Sequence, residues 1–579
     1  MPETVTQAAP LGYPEAAGKG LKTGALGLLS SVVVGLASTA PAYSLAASLG
    51  LVVASGGSVL AGVKAPAIML LAFVPMYFIA VAYAELNKAE PDCGTTFTWA
   101  ARAFGSWVGW MGGWGVIAAD VIVMANLAQI AGSYSFTFVG DLGWHAAADL
   151  SSNVFWSTVA GVVWIIVMTW ICYRGIEVSA KVQYALLAIE VAVLVIFSVT
   201  ALVRVWSGHA ESYSVHPSLS WFWPGGLSLG DVVAPAMLSA VFIYWGWDTA
   251  VTTNEEADDP ATTPGRAAVI STLLLLVTYA LVSTAAVAFA GVGTEGVGLG
   301  NKDNSGDVFR AIGPDLFGSS WIGKVGLLLL SASILTSASA STQTTILPTA
   351  RTALSMGAYK ALPQSFTRIH PRYFTPTVAT VAMGGVSIVF YVLFTLISSN
   401  LLLALIGSVG LMIAFYYGLT GFACVWFYRK TLTRSTRDLV MRGILPLLGG
   451  VMLFAAFGYG LKSYAAPDWL TDDDDKNVTI LGIGAVAVVG IAALLLGLVL
   501  MIVWRLRAPD YFTPGEPLGR RGHHDLVLAG LAMEEETVRL PDSGLPDIVI
   551  APDLSNLPEG ATAIDLTTGE EVTRPDNPA

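Results

Sequence analysis

Three carboxylates stand where water is not expected to reach. Asp120, Glu190 and Asp248 each fall inside a long apolar run, Glu190 within Leu186-Leu187-Ala188-Ile189-Glu190-Val191-Ala192-Val193. An ionised carboxylate at mid-bilayer is costly, so such a group pairs, binds a cation or holds a proton. That is the chemistry of ion coupling or of an amine site. Glu190 has hydroxyls to meet in the Ser/Thr-rich run 331–345, among them Thr336, Ser337 and Ser341. Bonding to these is the structural alternative to an ion site. Asp120 either faces a pathway or bonds a neighbouring helix.

Two apolar runs carry an interruption near their middle. In run 24–49 it is Gly35-Leu36-Ala37-Ser38-Thr39-Ala40-Pro41-Ala42-Tyr43. Pro41 lacks an N–H and suits the first turn of a new helix. The run is therefore expected to split around Ser38–Ala40, with an outer half-helix from Pro41; a proline kink without a ligand is the alternative. In run 229–254 the sequence is Phe242-Ile243-Tyr244-Trp245-Gly246-Trp247-Asp248-Thr249. An inner half-helix is expected to begin near Gly246, with Asp248 in its first turn. Asp248 there can cap the N-terminus, where the macrodipole favours an anion, or face a ligand, and the two roles are compatible.

A helix broken at mid-depth exposes backbone groups, which is tolerated only beside protein or a water-filled cavity. The N-terminus of the outer half-helix at Pro41 can hold a carboxylate. The carbonyls ending the outer part of run 229–254 can accept from an ammonium. A zwitterion such as an amino acid fits both, with Asp248 as a second anionic partner for an amine. Phe242, Trp245 and Trp247 offer faces to a side chain or cation, or simply pack. The candidate substrate-binding residues are thus Ser38, Thr39, Ala40, Pro41, Phe242, Trp245, Gly246, Trp247 and Asp248. The candidate ion-coupling residues are Glu190, Asp120, Thr336 and Ser337.

Helices must position these groups. The chain has 579 residues, of which 54% are hydrophobic and 12% charged, where soluble proteins carry about 25% charged residues. Its mean hydropathy is +0.66. Twelve apolar runs, at 24–49, 65–86, 104–137, 153–173, 180–206, 229–254, 265–292, 321–350, 376–398, 401–428, 442–463 and 478–505, reach the roughly 20 residues needed to cross a bilayer. The longer ones are expected to tilt or to extend beyond it. This is a polytopic all-α membrane protein of twelve spans. The interrupted spans 1 and 6 are five apart, the mark of a 5+5 inverted repeat with its site between the broken helices. With the N-terminus inside, twenty Lys and Arg fall on the inner side and seven on the outer, and Arg539 and Arg574 lie in the tail. That bias supports twelve spans with both termini cytoplasmic.

Residues 1–22 are polar and rich in Gly, Pro and Ala, and are expected to be disordered; no cleavable signal peptide is evident. Residues 23–505 form the transmembrane domain. Residues 506–579 hold fourteen Asp/Glu and five Arg, which is −9 of the net −12, and form an acidic cytoplasmic tail. Cys93, Cys172 and Cys424 are too few and too scattered for a disulfide framework or a zinc motif. The pair His523-His524 reads as solvated, and Asp472–Asp475 as an acidic outer loop. No basic stripe suits a nucleic acid. No phosphate loop, zinc-ligand helix or nucleophile–base pair points to an enzyme or a metal site. Eleven Lys against eighteen Arg, with abundant Ala, Gly and Val, point to a GC-rich bacterial source and its cytoplasmic membrane.

The stretch from Phe242 to Pro260 resembles the sixth helix and following loop of the amino acid–polyamine–organocation transporters, through Gly246, Trp247, Asp248, Glu255, Glu256 and Pro260. Arg351, then Ala361-Leu362-Pro363, His370-Pro371-Arg372 and Thr375-Pro376 resemble that family's loop between helices 8 and 9. The resemblance covers roughly residues 20–505. It implies a LeuT-like fold of ten core helices with helices 1 and 6 broken, two extra helices, and alternating access. It implies a secondary transporter importing an amino acid or related amine, driven by H⁺ or Na⁺, with no other cofactor. An exchanger, an inorganic-cation importer of the same fold and a nutrient sensor signalling through its tail stay open. The family's helix-1 break is usually Gly-Ser-Gly and binds the substrate carboxylate; here it is Ser38-Thr39-Ala40-Pro41. Phe242 matches a substrate-gating aromatic, and Asp248 an acid implicated in substrate handling in polyamine and arginine–agmatine members. Glu190 matches a lysine that some proton-coupled relatives place in the old sodium site. Glu85, Glu255 and Glu256 read as solvated helix ends or as gate ion pairs with Arg266 or Arg351. Acids at mid-membrane without a carboxylate-binding break would favour a cation as substrate.

Overall fold

Apolar segments with no water to bond their peptide groups must close those bonds internally, so they coil into helices. The computed structural model describes residues 19–54, 61–207, 211–304, 306–397, 399–471, 476–513, 518, 520, 522, 562–564 and 571–573. Among these, eleven helical spans are long and apolar enough to cross a membrane. Span 1 is Leu28–Ser38 and Pro41–Ala54, followed by span 2 (Ala65–Ala89), span 3 (Ser106–Asp141), span 4 (Val154–Tyr173) and span 5 (Ile176–Trp206). Span 7 is Thr263–Ala290, span 8 Trp321–Ala358, span 9 Thr377–Ile397, span 10 Ser399–Tyr428, span 11 Leu445–Tyr464 and span 12 Ala485–Arg507. The twelfth is span 6, assembled from a π-helical turn Leu229–Val233, the helix Ala234–Ile243 and a single turn Thr249–Thr252. Both predicted interruptions are real breaks.

Outward faces are apolar. Span 4 exposes Phe155, Val159, Val163, Ile166 and Trp170 at helical spacing, a stripe that suits lipid rather than water. The chain is an integral membrane protein. Inside, spans 3 and 4 cross with their backbones in contact. A Cβ at Gly132 would lie 2.1 Å from the Ser157 carbonyl oxygen, and one at Gly161 would lie 2.5 Å from that of Ala128. Small residues at such a crossing let dispersion hold helices that lipid cannot drive together.

Residues 19 and 520 lie on the same face of the bundle, beside the short helix Thr96–Phe104 that links spans 2 and 3. This basic face is closed by ion pairs. Arg351 donates from Nε to Glu256 Oε2 at 2.7 Å and from Nη2 to Oε1 at 2.9 Å, with both side chains almost wholly buried. Glu85 meets Arg437 and Arg442 at 2.5 and 2.6 Å, and Arg102 meets Glu90 at 2.8 Å. Lys19 reaches Asp92 at 2.9 Å and also Glu255. Burial pushes the Asp92 carboxyl up, but Lys19 and the donors Ser355 and Gly94 N–H outweigh it and hold Asp92 at about 2.

Several expectations change here. Span 8 does not end at 350 but continues through Arg351 to Ala358, because Arg351 finds a buried carboxylate and needs no water. Glu256 takes Arg351; Arg266 is exposed and forms no part of the pair. Lys19, expected within a disordered terminus, is seated between two acids; residues 1–18 lie outside the described residues. The tail begins ordered, with Tyr511 stacked on Phe97 at 5.6 Å and the Arg520 guanidinium 4.5 Å from the Trp426 ring. Near its end, Thr562–Ile564 pairs antiparallel with Glu571–Thr573. Most of the tail, with His523-His524, lies outside the described residues, as does Asp472–Asp475. Cys93, Cys172 and Cys424 are buried separately.

Removing one partner of a buried pair leaves the other charge stranded, at a cost of about 3–5 kcal/mol. Arg351→Met should therefore lower the apparent melting temperature in detergent markedly, and Arg351→Met with Glu256→Leu should recover most of the loss. Equal melting of the single variant and the parent would show that the pair is not holding this face closed.

Candidate functional site

The break in span 1 is short and fully bonded. Thr39 N–H and Oγ1 both donate to the Leu36 carbonyl, and Ala40 N–H donates to Ala37. Ala40 takes the left-handed conformation, φ +47°, where a Cβ is strained, and Pro41 then starts the outer half. The carbonyls freed by the turn are met from within the protein. Ser341 Oγ donates to the Ser38 carbonyl at 2.9 Å, and Ser44 Oγ to that of Thr39 at 2.7 Å.

Span 6 breaks at the facing position. Its outer helix ends at Ile243, whose carbonyl accepts from the Tyr279 hydroxyl of span 7 at 2.6 Å. One of the carbonyls expected to receive an ammonium is thus already bonded within the protein. Gly246 has φ +116°, and a Cβ there would lie 2.8 Å from the carbonyl carbon and oxygen of Ser38. The two breaks thus touch backbone to backbone, with Ser38 Oγ and Thr249 Oγ1 2.9 Å apart across them.

Asp248 is the residue before the inner turn Thr249–Thr252, but its side chain caps nothing. Its carboxylate instead accepts from the hydroxyls of Tyr417 at 2.9 Å and Tyr416 at 3.1 Å, both on span 10. Tyr416 in turn accepts from Trp245 Nε1. Trp247 lies between Tyr83 and Tyr417, ring centroids 5.2 and 5.1 Å away. Phe242 is buried close by in the same helix end. Trp247 Nε1 and the Tyr244 hydroxyl find no partner among the described residues. No basic side chain pairs with Asp248 among the described residues, and its buried carboxylate stands among aromatic rings.

Glu190, wholly buried, reaches the start of the outer half of span 1. Its Oε1 accepts from Ala42 N–H and from Ser337 Oγ, each at 2.7 Å, while Oε2 has no partner among the described residues. Ser337 Oγ also accepts from Tyr43 N–H at 3.1 Å. The expected ion-coupling group therefore divides. Ser337 is beside Glu190, whereas Thr336 points its hydroxyl to the Ser333 carbonyl of its own helix, and Ser341 serves span 1. Asp120 accepts from Thr349 Oγ1 of span 8 at 2.5 Å and lies within electrostatic reach of Asp248.

The sequence reading missed Tyr416, Tyr417 and Tyr279, as well as Asn126, which accepts from the Tyr43 hydroxyl. Two adjacent tyrosines in the middle of span 10 were a visible signal. Their direction was not, since it depends on how span 10 rotates against span 6.

The family model described as "Amino acid permease" matches residues 26–504. An uncharacterised transporter of Mycobacterium tuberculosis is 27% identical over 62% of this chain and 72% of its own length. The branched-chain amino acid permease BcaP of Bacillus subtilis is 23% identical over 57% of this chain and 68% of its own length. Among solved structures, that of MhsT in complex with L-phenylalanine superposes with a TM-score of 0.53 at 12% identity, covering 74% of this chain and 98% of that one. The fold is therefore the LeuT-like one.

Gly246→Val would add strain at a positive φ and drive a side chain into the Ser38 carbonyl. We expect reduced yield of folded protein by fluorescence-detected size exclusion, and ligand binding weakened at least tenfold. Normal yield with unchanged affinity would show that the two breaks are not joined in this way.

Proposed function

The chain belongs to the amino acid permease family, and we propose that this transporter imports an amino acid or a related amine across the bacterial cytoplasmic membrane by alternating access. The observation that carries this reading is the apposition of two broken helices around Asp248, a buried carboxylate that accepts from two tyrosine hydroxyls. An ammonium group completes such a site through a charge-assisted hydrogen bond and cation–π contact. The substrate-binding set is then the Ser38–Pro41 break with Phe242, Trp245, Gly246, Trp247 and Asp248, extended by Tyr416 and Tyr417. The relatives are transporters, and we assign the chain no catalytic reaction.

By the positive-inside rule the basic face is cytoplasmic. The pairs Glu256–Arg351 and Lys19–Asp92 then close the inner exit, and release of substrate requires them to part. We assign the coupling ion as H⁺ and its carrier as Asp120. This acid is buried, bonded to one hydroxyl, and placed between spans 3 and 8, where it can exchange a proton as the helices move. Sodium is the weaker assignment, since Thr336 turns away from Glu190.

Uptake into proteoliposomes tests this. We expect accumulation of one amine-bearing substrate under an inward pH gradient and not under a sodium gradient. Asp248→Asn should reduce that uptake at least tenfold, and Asp120→Asn should leave exchange intact while abolishing gradient-driven accumulation. Exchange alone in the parent protein would make it an antiporter, and accumulation under sodium alone would remove the proton assignment.

A further inference from the structure

The first N–H groups of a helix have no partner in the helix and are the natural seat of an anion. In the outer half of span 1 that seat is taken. Pro41 has no N–H; Ala42 gives its N–H to Glu190 and Tyr43 to Ser337. Ser44 N–H bonds the Ala40 carbonyl at 2.8 Å, and the two residues before Pro41 bond back into the inner half at 3.2 Å. From Thr39 to Ser44 every N–H is used. Ser337 closes the arrangement by accepting from Tyr43 and donating to the same Glu190 oxygen that Ala42 bonds. Both donors converge on Oε1, so Glu190 serves there as the acceptor.

We propose that Glu190 is a resident stand-in for a substrate carboxylate, and that it makes this site selective for an organic ammonium with no carboxylate on its amine-bearing carbon. The proposal rests on the transporter reading above and narrows its substrate class. A second carboxylate brought to this half-helix would meet the Glu190 charge in a buried site, with no N–H left to receive it. An ammonium meets no such conflict. Asp248, with two neutral hydroxyls on it and the rings of Trp245, Trp247 and Tyr83 nearby, offers the complementary charge. Glu190 is thus a specificity-determining residue. It acts by exclusion, as a like charge set against the unwanted partner.

Matched pairs test this in proteoliposomes of the full chain: leucine against 3-methylbutylamine, phenylalanine against phenethylamine, and lysine against cadaverine. For at least one pair the parent protein should take up the amine with kcat/KM at least tenfold above the amino acid. Glu190→Ala, which frees the N–H groups of Ala42 and Tyr43, should cut that ratio at least tenfold. Should Glu190→Ala fail to fold, Glu190→Gln keeps the acceptor and removes the charge, and should lower the ratio at least threefold. Equal or better uptake of the amino acids by the parent protein overturns the proposal and leaves the transporter reading standing. If a proton then enters with each amino acid and Glu190→Gln abolishes that entry, Glu190 yields its seat to the substrate instead of excluding it. Uptake of neither member of any pair overturns the transporter reading and this proposal together.

Discussion

Each peptide group freed where spans 1 and 6 break must be given a partner at a depth where lipid offers none. Several of the buried polar residues in the centre of this protein follow from that one constraint. Thr39, Ser44, Ser341 and Tyr279 have in common that their hydroxyls donate to carbonyls at the two breaks. Glu190 and Ser337 serve the amide side of the same problem. Gly246 follows as well. The breaks can be close enough to share these partners only if no side chain stands between Gly246 and the Ser38 carbonyl.

The peptide groups at the two breaks take their partners from span 1 itself and from spans 5, 7 and 8. The closed basic face works on a different energy scale. Arg351 and Glu256 are buried and bidentate. Such a pair adds little net stability over an apolar one but penalises any arrangement that parts it without solvation. Parting that pair therefore requires water to reach it. Water can take over the ion pairs there, but the apolar packing beside them, such as Leu21 with Cys93 and Leu354, has no such substitute.

Much of the fold was legible in the chain. Twelve apolar runs, Pro41 in one and Gly246 in another, foretold twelve spans with breaks in the first and sixth, because helix length and helix interruption are local matters. The candidate site was legible only in part. Asp248 is recognisable as an intramembrane acid that can cap its own helix turn or face a ligand, but its partners within the protein are not. They proved to be Tyr416 and Tyr417, some 168 residues away along the chain. Glu190 was matched to hydroxyls on span 8, which holds for Ser337 and fails for Thr336, one residue and one helical step of about 100° apart. Its bond to Ala42 is not legible in the chain, because it depends on how span 5 packs against the start of the outer half of span 1.

Composition and spacing by themselves determined that this protein is a membrane-spanning bundle, where its helices break and which acids lie in the apolar region. Those are properties of segments, set by hydrophobic length, by proline's missing N–H and by the cost of charge in hydrocarbon. Only the tertiary structure decided which donors reach those acids, and that the amide end of span 1 is already filled. Partner choice depends on the rotation and depth of helices far apart in the chain, and a shift of one residue turns a side chain from the centre toward lipid.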